Sequence, residues 1–446
     1  MSPKKTKAIG MPAGVPPPSL PLSFFALACA GMIGCGVALI TAHSAAVRDP
    51  TQDGVVCAAH LAMLATLSMG VLGAMHQFVP VVTGKALRSL VLSKITLLTW
   101  LGASWLLPLG IGTEHPLVVE CGGALASVAI VCLVVNLIPP LSVRGKGVPV
   151  TGLRLSVSAF IVTACFGVLY VGDRKANWFT LSGHIVLAHA LIGLFGWLGL
   201  TYVAVAEKLW PMFFLAHNEK KTQPVRLGIW AIAIGLALLA PGLLIGQQIL
   251  AWAGSVLIVI GLSTHLHSLS VHIRGRNRRV DLYAVSVITS ALWLVVGIGF
   301  ALSAYLTIDK NHHLGVALVG ASISAFAGWL LEALVGHAQK VVPFIVWSAM
   351  RQRGIEKVPS GKQLLFADLY SHRVASITFF SITIAVASLC YGFAFSNSPA
   401  VIVCGGLLIV SGLLIFGNFV FTPVKLIRLN RSVPPKRTIA LIAQPD

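Results

Sequence analysis

The stretch His184–His217, HIVLAHALIGLFGWLGLTYVAVAEKLWPMFFLAH, decides the fold of this chain. It opens on His184 and His189, runs through about twenty mostly apolar residues, enough to cross a lipid bilayer, and closes on Glu207, Pro211 and a basic exit. The same plan appears at His60–Lys85, HLAMLATLSMGVLGAMHQFVPVVTGK, with His76 and Pro80 near its far end. It appears again, more loosely, at His312–Pro343, HHLGVALVGASISAFAGWLLEALVGHAQKVVP, which carries Glu332 and His337. Three histidine-headed membrane helices therefore organise the chain.

Composition agrees with this reading. Of 446 residues 57% are hydrophobic and only 10% are charged, and apolar blocks long enough for a hydrocarbon layer of about 30 Å recur along the whole length. The blocks are continuous, not ten-residue alternations, which excludes a β-barrel. The expected fold is an all-α polytopic membrane protein.

Twelve spans are expected: 20–42, 55–82, 87–111, 116–140, 152–171, 181–206, 226–246, 249–271, 281–306, 312–336, 373–395 and 399–422. They read as three pseudo-repeats of four helices, about 20–140, 151–271 and 281–423, between a disordered basic arm at 1–19 and a basic tail at 424–446. The apolar part of the first span is longer than the roughly 7–15 residues of a cleaved signal peptide, so it is read as retained. Divided between the two sets of loops, 28 of the 32 Lys and Arg fall on one side, leaving Arg48, Arg174, Lys175 and Lys310 on the other. That bias places both termini in the cytoplasm of a bacterial-type inner membrane. It also accounts for the net charge of +19 as topological anchors facing anionic lipid, which argues against nucleic acid as a partner.

Eight cysteines lie in or beside predicted spans, with no CxxC among them. Most read as small packing residues. Cys57, three residues before His60 and on the same helix face, is the exception as a candidate for a metal or haem-edge role.

The histidines sort by depth. His43, His60, His115, His184, His189, His312 and His313 fall near the outer surface, and His76, His217, His265, His267, His272, His337 and His372 toward the cytoplasm. Imidazoles inside a membrane are costly unless they face a partner in the bundle interior. His60, His189 and His313 are each followed by small residues, among them Gly70 and Gly73, Gly193, Gly196 and Gly199, Gly315 and Gly320. Such residues permit either close helix packing or the approach of a flat macrocycle. On the inner side His76, Glu207, Glu332 and His337 read either as interfacial side chains reaching water or as a proton or ion path. His265 and His267, spaced i, i+2, are expected at the interface. The chain has no Walker loop, Rossmann fingerprint, HExxH or CxxCH, so soluble-enzyme chemistry is not indicated.

Twelve helices, a histidine heading helix 2 followed by G-A-x-x-Q-x-x-P-x-x-x-G (Gly73–Gly84), and further histidines on helices 6 and 10 together resemble the catalytic subunit of the haem-copper oxidase and nitric oxide reductase superfamily. The helix 6 pattern H…GWxGLT…PMFxLAH, from His189 to His217, is similar to that of NnrS-like relatives. The resemblance implies a low-spin haem b held between His60 and His313 or its neighbour His312. It also implies copper or iron at His189, with His184 as a second candidate, and a cytochrome or cupredoxin-like electron-transfer subunit. The chain departs from the pattern in three places. Residues 226–246 contain no histidine, His312 and His313 are adjacent where the family has His-x-His, and Gly193 stands four residues after His189 where many members have tyrosine. A degenerate relative without a complete copper site is expected, handling electrons, nitric oxide or metal at the outer face. The alternative is a transporter, or a metal- or haem-handling protein, on the same scaffold.

Overall fold

The computed structural model describes residues 16–145, 147–176, 184–216, 223–358 and 361–431. The proposed arm up to residue 15, His217, and the tail from residue 432 lie outside the described residues. Within them twelve helices are long and apolar enough to cross a membrane. These are α1 (Ser19–Thr41), α2 (Asp53–Thr83), α3 (Leu90–Gly112), α4 (Pro116–Leu141), α5 (Gly147–Ala176), α6 (Ile185–Phe214), α7 (Gln223–Leu244), α8 (Gln248–Arg274), α9 (Leu282–Thr307), α10 (His312–Gln352), α11 (His372–Ala394) and α12 (Ser398–Arg431). The end of the bundle where α2, α6 and α10 begin is called here the head, and the opposite end the foot.

Polar side chains start several helices by accepting from free backbone N–H groups of the first turn. Ser89 caps α3, Asp281 α9, Asn311 α10 and Ser371 α11, each satisfying a donor that the helix itself leaves open.

Three boundaries differ from expectation. Helix α10 does not stop at residue 336 but runs to Gln352, about 60 Å at 1.5 Å per residue, twice the hydrocarbon thickness. The first part of the stretch left between the expected spans 312–336 and 373–395 is therefore helix. Pro343 lies inside it, and the projecting end is held by Trp347, whose Nε1 donates to Leu364 O at 2.8 Å. Helix α6 continues past 206 to Phe214, and α12 continues to Arg431.

Helix α1 packs against α2 and α12, and α3 pairs with α4, α5 with α6, α7 with α8, α9 with α10 and α11 with α12. The α7–α8 hairpin is packed through glycines. Gly228, Gly235 and Gly242 recur every seven residues on α7 and face Gly261, Gly254 and Ala251 of α8 so tightly that a Cβ at Gly235 would lie 2.7 Å from Gly254 O. Helices α2, α6 and α10 sit innermost. Between 56% and 61% of their most apolar windows is buried, against 17% to 44% in the other nine.

Helices α2 and α6 share a construction. Each contains an eight-residue π-helical run, Leu61–Ser68 and Ile192–Gly199, followed by fifteen α-helical residues, Met69–Thr83 and Leu200–Phe214. Each α-helical part carries a proline at its twelfth residue, Pro80 or Pro211, and stops at a residue with left-handed backbone, Gly84 or Leu215. Helix α10 shares Gly-Trp-Leu with α6, at Gly328–Leu330 and Gly196–Leu198, at the same distance before its proline, but it is α-helical throughout.

The core among these helices is aromatic. Phe160 of α5 stacks on Trp197 of α6 at 4.0 Å and 9°, and Trp100 of α3 meets Phe160 edge-on at 5.3 Å, contacts worth about 0.5–1.5 kcal/mol each beyond the area buried. Both indoles are bonded inside the protein: Trp197 Nε1 donates to Ser68 Oγ at 2.9 Å and Trp100 Nε1 to Leu64 O at 3.2 Å. The two acceptors lie on the π-helical run of α2.

Candidate functional site

Each π-helical run begins just after a head histidine. His60 is the residue before the α2 run and His189 stands three residues before the α6 run. Bonds from residue i to i+5 replace the α-helical pattern here, as in Met69 N–H to Leu64 O and Leu200 N–H to Phe195 O. Such segments re-aim the side chains around them and occur often at functional sites.

The structure brings these two histidines together. Their rings lie 6.3 Å apart between centroids and within 23° of parallel. His60 Nδ1 donates to Val56 O of its own helix at 2.8 Å, and His189 Nδ1 donates to Thr163 O of α5 at 2.9 Å. A carbonyl can only accept, so Nδ1 carries a proton on both rings, and each imidazole in its neutral form leaves an Nε2 lone pair. This is the arrangement by which proteins orient metal-ligating histidines, with one nitrogen tied to a backbone carbonyl and the other free to bind. Gly167 of α5 makes room for the His189 ring, since a Cβ there would lie 3.3 Å from Cε1. Both histidines are part-buried.

The other expected ligands stand elsewhere. His312 and His313 are exposed at the start of α10, where His313 lines a shallow pocket with Arg48, Asn311 and Ser396. His184 is exposed at the start of α6, and Cys57 is buried against Gly112 of α3. Among the described residues no three His, Cys, Asp or Glu side chains converge as a metal site. The donor set at the head is two imidazoles.

The small residues that follow the head histidines are occupied by helix packing. A Cβ on Gly70 would strike Leu334 of α10, on Gly73 Phe24 of α1, on Gly196 Ala159 of α5, on Gly199 Trp329 of α10 and on Gly320 Phe393 of α11, all within 3.2 Å. Of the two uses the sequence allowed, these five glycines serve close packing.

The four foot residues do not form one constellation. His76 stacks on Phe24 of α1 at 5.2 Å, and Glu332 accepts from Thr383 Oγ1 of α11 at 2.6 Å. Glu207 accepts from Ser268 Oγ of α8 at 2.6 Å, and His337 Nε2 accepts from the Tyr283 hydroxyl of α9 at 3.1 Å. In the shared construction of α2 and α6, His76 and Glu207 hold the same position, and the proline spacing puts Gln339, not Glu332, there on α10. All four side chains are buried; Glu207, Glu332 and His337 have side-chain partners, while His76 bonds through Nδ1 to Leu72 O and leaves Nε2 without a partner.

The structure corrects the reading of His265. It is 1% exposed, not interfacial, because Tyr202 and Trp210 of α6 and Trp329 of α10 surround its ring at 5.0, 4.8 and 6.3 Å. His267, two residues on, is exposed. Sequence spacing separates the two faces of α8 but does not say which one is covered.

No family model matches the chain, and no curated protein matches it.

Proposed function

We propose that this polytopic membrane protein carries a bis-histidine redox centre at its head end, with His60 and His189 as ligands through Nε2 to a haem b iron or a copper ion. The observation that carries this reading is the pair itself: two rings from different helices, 6.3 Å apart, each with its Nδ1 bound to a backbone carbonyl. One metal ion between two imidazoles, at about 2.0–2.1 Å per metal–nitrogen bond, puts ring centroids about 6 Å apart, and imidazole suits both iron and copper. The pairing differs from the one the superfamily resemblance implies, because His189 takes the place of His312 or His313.

When bound, such a group supplies one-electron chemistry, and bis-histidine ligation leaves a haem iron no open position. The role is accordingly electron transfer at the outer face of a bacterial-type inner membrane. A cytochrome or cupredoxin-like subunit would be the electron-transfer partner, and both termini would be cytoplasmic. The chain's own residues fix the imidazole tautomers through Val56 and Thr163 and shape the site through Gly167. The matched construction of α2 and α6 favours descent from repeated four-helix units, with α10 the most altered member.

The test is elemental analysis and a reduced-minus-oxidised spectrum of purified protein offered haem, copper, iron or zinc, beside His60→Ala, His189→Ala and His313→Ala. One equivalent of metal or haem is expected in wild type and His313→Ala and none in the other two variants. Folded wild-type protein that binds none of the four would overturn the proposal. A second reading, an ion-coupled transporter, is favoured by the buried Glu207–Ser268 contact at the foot. Ion flux in proteoliposomes made from metal-free wild type would select it.

A further inference from the structure

Three buried polar atoms lie close together at the foot side of the inner helices without a hydrogen-bond partner in the protein: Trp210 Nε1, Trp329 Nε1 and His265 Nδ1. Their residues are 0%, 0% and 1% exposed, and they belong to three different helices. The His265 ring is 4.8 Å from Trp210 and 6.3 Å from Trp329, and Tyr202 touches all three at 5.0 to 6.2 Å. Buried polar groups are almost always bonded to protein or to ordered water. Three such exceptions, on His265 and on two indoles that each neighbour its ring, point to one shared cause.

The chemistry of the atoms narrows what satisfies them. An indole N–H can only donate, so the partner accepts; a histidine nitrogen takes either role. A buried anion would need a cation beside it, and the enclosed ammonium of Lys340, 5.9 Å over the Tyr283 ring, is already paired with Asp281 at 2.6 Å. Water accepts twice, donates to the histidine, and so reaches the three bonds usual for a buried water.

The site also leads outward. Trp210 reaches His272 at 6.0 Å, near the foot end of α8, where Ser268 lies between His272 and Glu207. Inward, Tyr202 meets His337 at 5.7 Å, and His337 is bonded to Tyr283. Toward the head the core closes with Phe195 and Phe326 packed edge to face. We infer that the cluster around His265 is a water-binding site at the inner end of a hydrated inlet from the foot, entered past Glu207, Ser268 and His272 and closed toward the head. The titratable groups facing it are Tyr202 and Glu207 of α6, His272 of α8, Tyr283 of α9 and His337 of α10. This inference does not depend on the paired-histidine centre.

Hydroxyl-radical footprinting by brief X-ray exposure tests it, because radicals form at bound waters and mark side chains that bulk solvent does not reach. The full chain in lipid nanodiscs would be exposed and mapped by mass spectrometry. Trp210 and Trp329 are expected to oxidise several-fold faster than Trp100 and Trp197, which are equally buried but bonded to Leu64 and Ser68. His265→Leu is expected to lower both rates to those of Trp100, and His265→Gln, which keeps polar atoms there, to preserve them. Equal rates on all four wild-type tryptophans would overturn the inference without any variant, and so would unchanged rates in folded His265→Leu.

Discussion

At the head, His60 and His189 each commit Nδ1 to a backbone carbonyl and leave Nε2 unprotonated beside the other ring. At the foot, His265 has Nδ1 unbonded among two indoles that also lack partners. The residue type and the membrane setting are the same, but the surroundings are opposite. Backbone bonds to one nitrogen pre-organise the other as a ligand, and part-burial leaves a route for an ion or cofactor. Aromatic enclosure with unmet donors suits only something small, neutral and able to accept. A histidine in a membrane helix is thus read from what its second nitrogen is doing, not from its depth.

The largest effect that would sharpen this contrast is on ligand binding. Gly167→Val places branched carbon where even a Cβ would stand 3.3 Å from His189 Cε1, and should turn the ring without removing it. Displacing the support of a metal ligand typically costs 10–100-fold in affinity, about 1.4–2.7 kcal/mol. Titration of the metal-free protein should show that loss for Gly167→Val and no change for His265→Ala. If His265→Ala lost the metal equally, head and foot would be one site, and the comparison would fail.

Next comes the foot's ion pair. Lys340 is 7% exposed and bonded to Asp281 at 2.6 Å, while Asp281 also stands 3.7 Å from Arg278 and has a side chain 32% exposed. Asp281→Asn leaves an enclosed ammonium without its counter-charge and should cost about 2 kcal/mol, less than the 3–5 kcal/mol of a fully buried pair. Lys340→Met leaves Asp281 paired with Arg278 and partly hydrated, and should cost less than half as much. Thermal unfolding in detergent should rank wild type first, then Lys340→Met, then Asp281→Asn. Equal Tm values for the two variants would mean that the foot tolerates an unpaired charge, and hence that it is wetter than the contacts imply.

The spans were legible because a bilayer demands about twenty apolar residues in a row, a signal that survives without any knowledge of neighbours. The end of α10 was not, because Lys340 and Pro343 have the look of a helix stop, whereas this helix runs on to Gln352 and its end is held by Trp347 and Leu364. His60 and His189 were both legible as candidates but not as a pair. Their meeting depends on the angle at which each leaves its helix, and a π-helical run changes that angle without changing hydropathy. Glu332 was legible only as an interfacial side chain or part of a proton or ion path, and its bond to Thr383 depends on which way α10 is turned. His265 was misread because its cover comes from two other helices.

The smallest predicted effect bears on the inference at the foot. Ser68→Ala removes the acceptor of Trp197 Nε1 and turns a satisfied indole into a further orphan, in a core where Phe160 packs on the same ring at 4.0 Å. Side-chain hydrogen bonds between membrane helices average about 0.6 kcal/mol and reach about 1.7 kcal/mol, so a loss of about 1 kcal/mol is expected. Trp197→Phe supplies the control, since it removes donor and bond together and costs only packing. If Ser68→Ala lowers stability and Trp197 stays dark to radicals, an unmet indole is costly in this bundle, and Trp210 and Trp329 require a partner. If Ser68→Ala costs nothing while Trp197 becomes readily oxidised, water has entered to replace the serine, and the head-side core is no drier than the foot. If it costs nothing and Trp197 stays dark, unmet indoles are cheap here. The orphans around His265 would then be no argument for water, and only the footprinting contrast in wild type could sustain it.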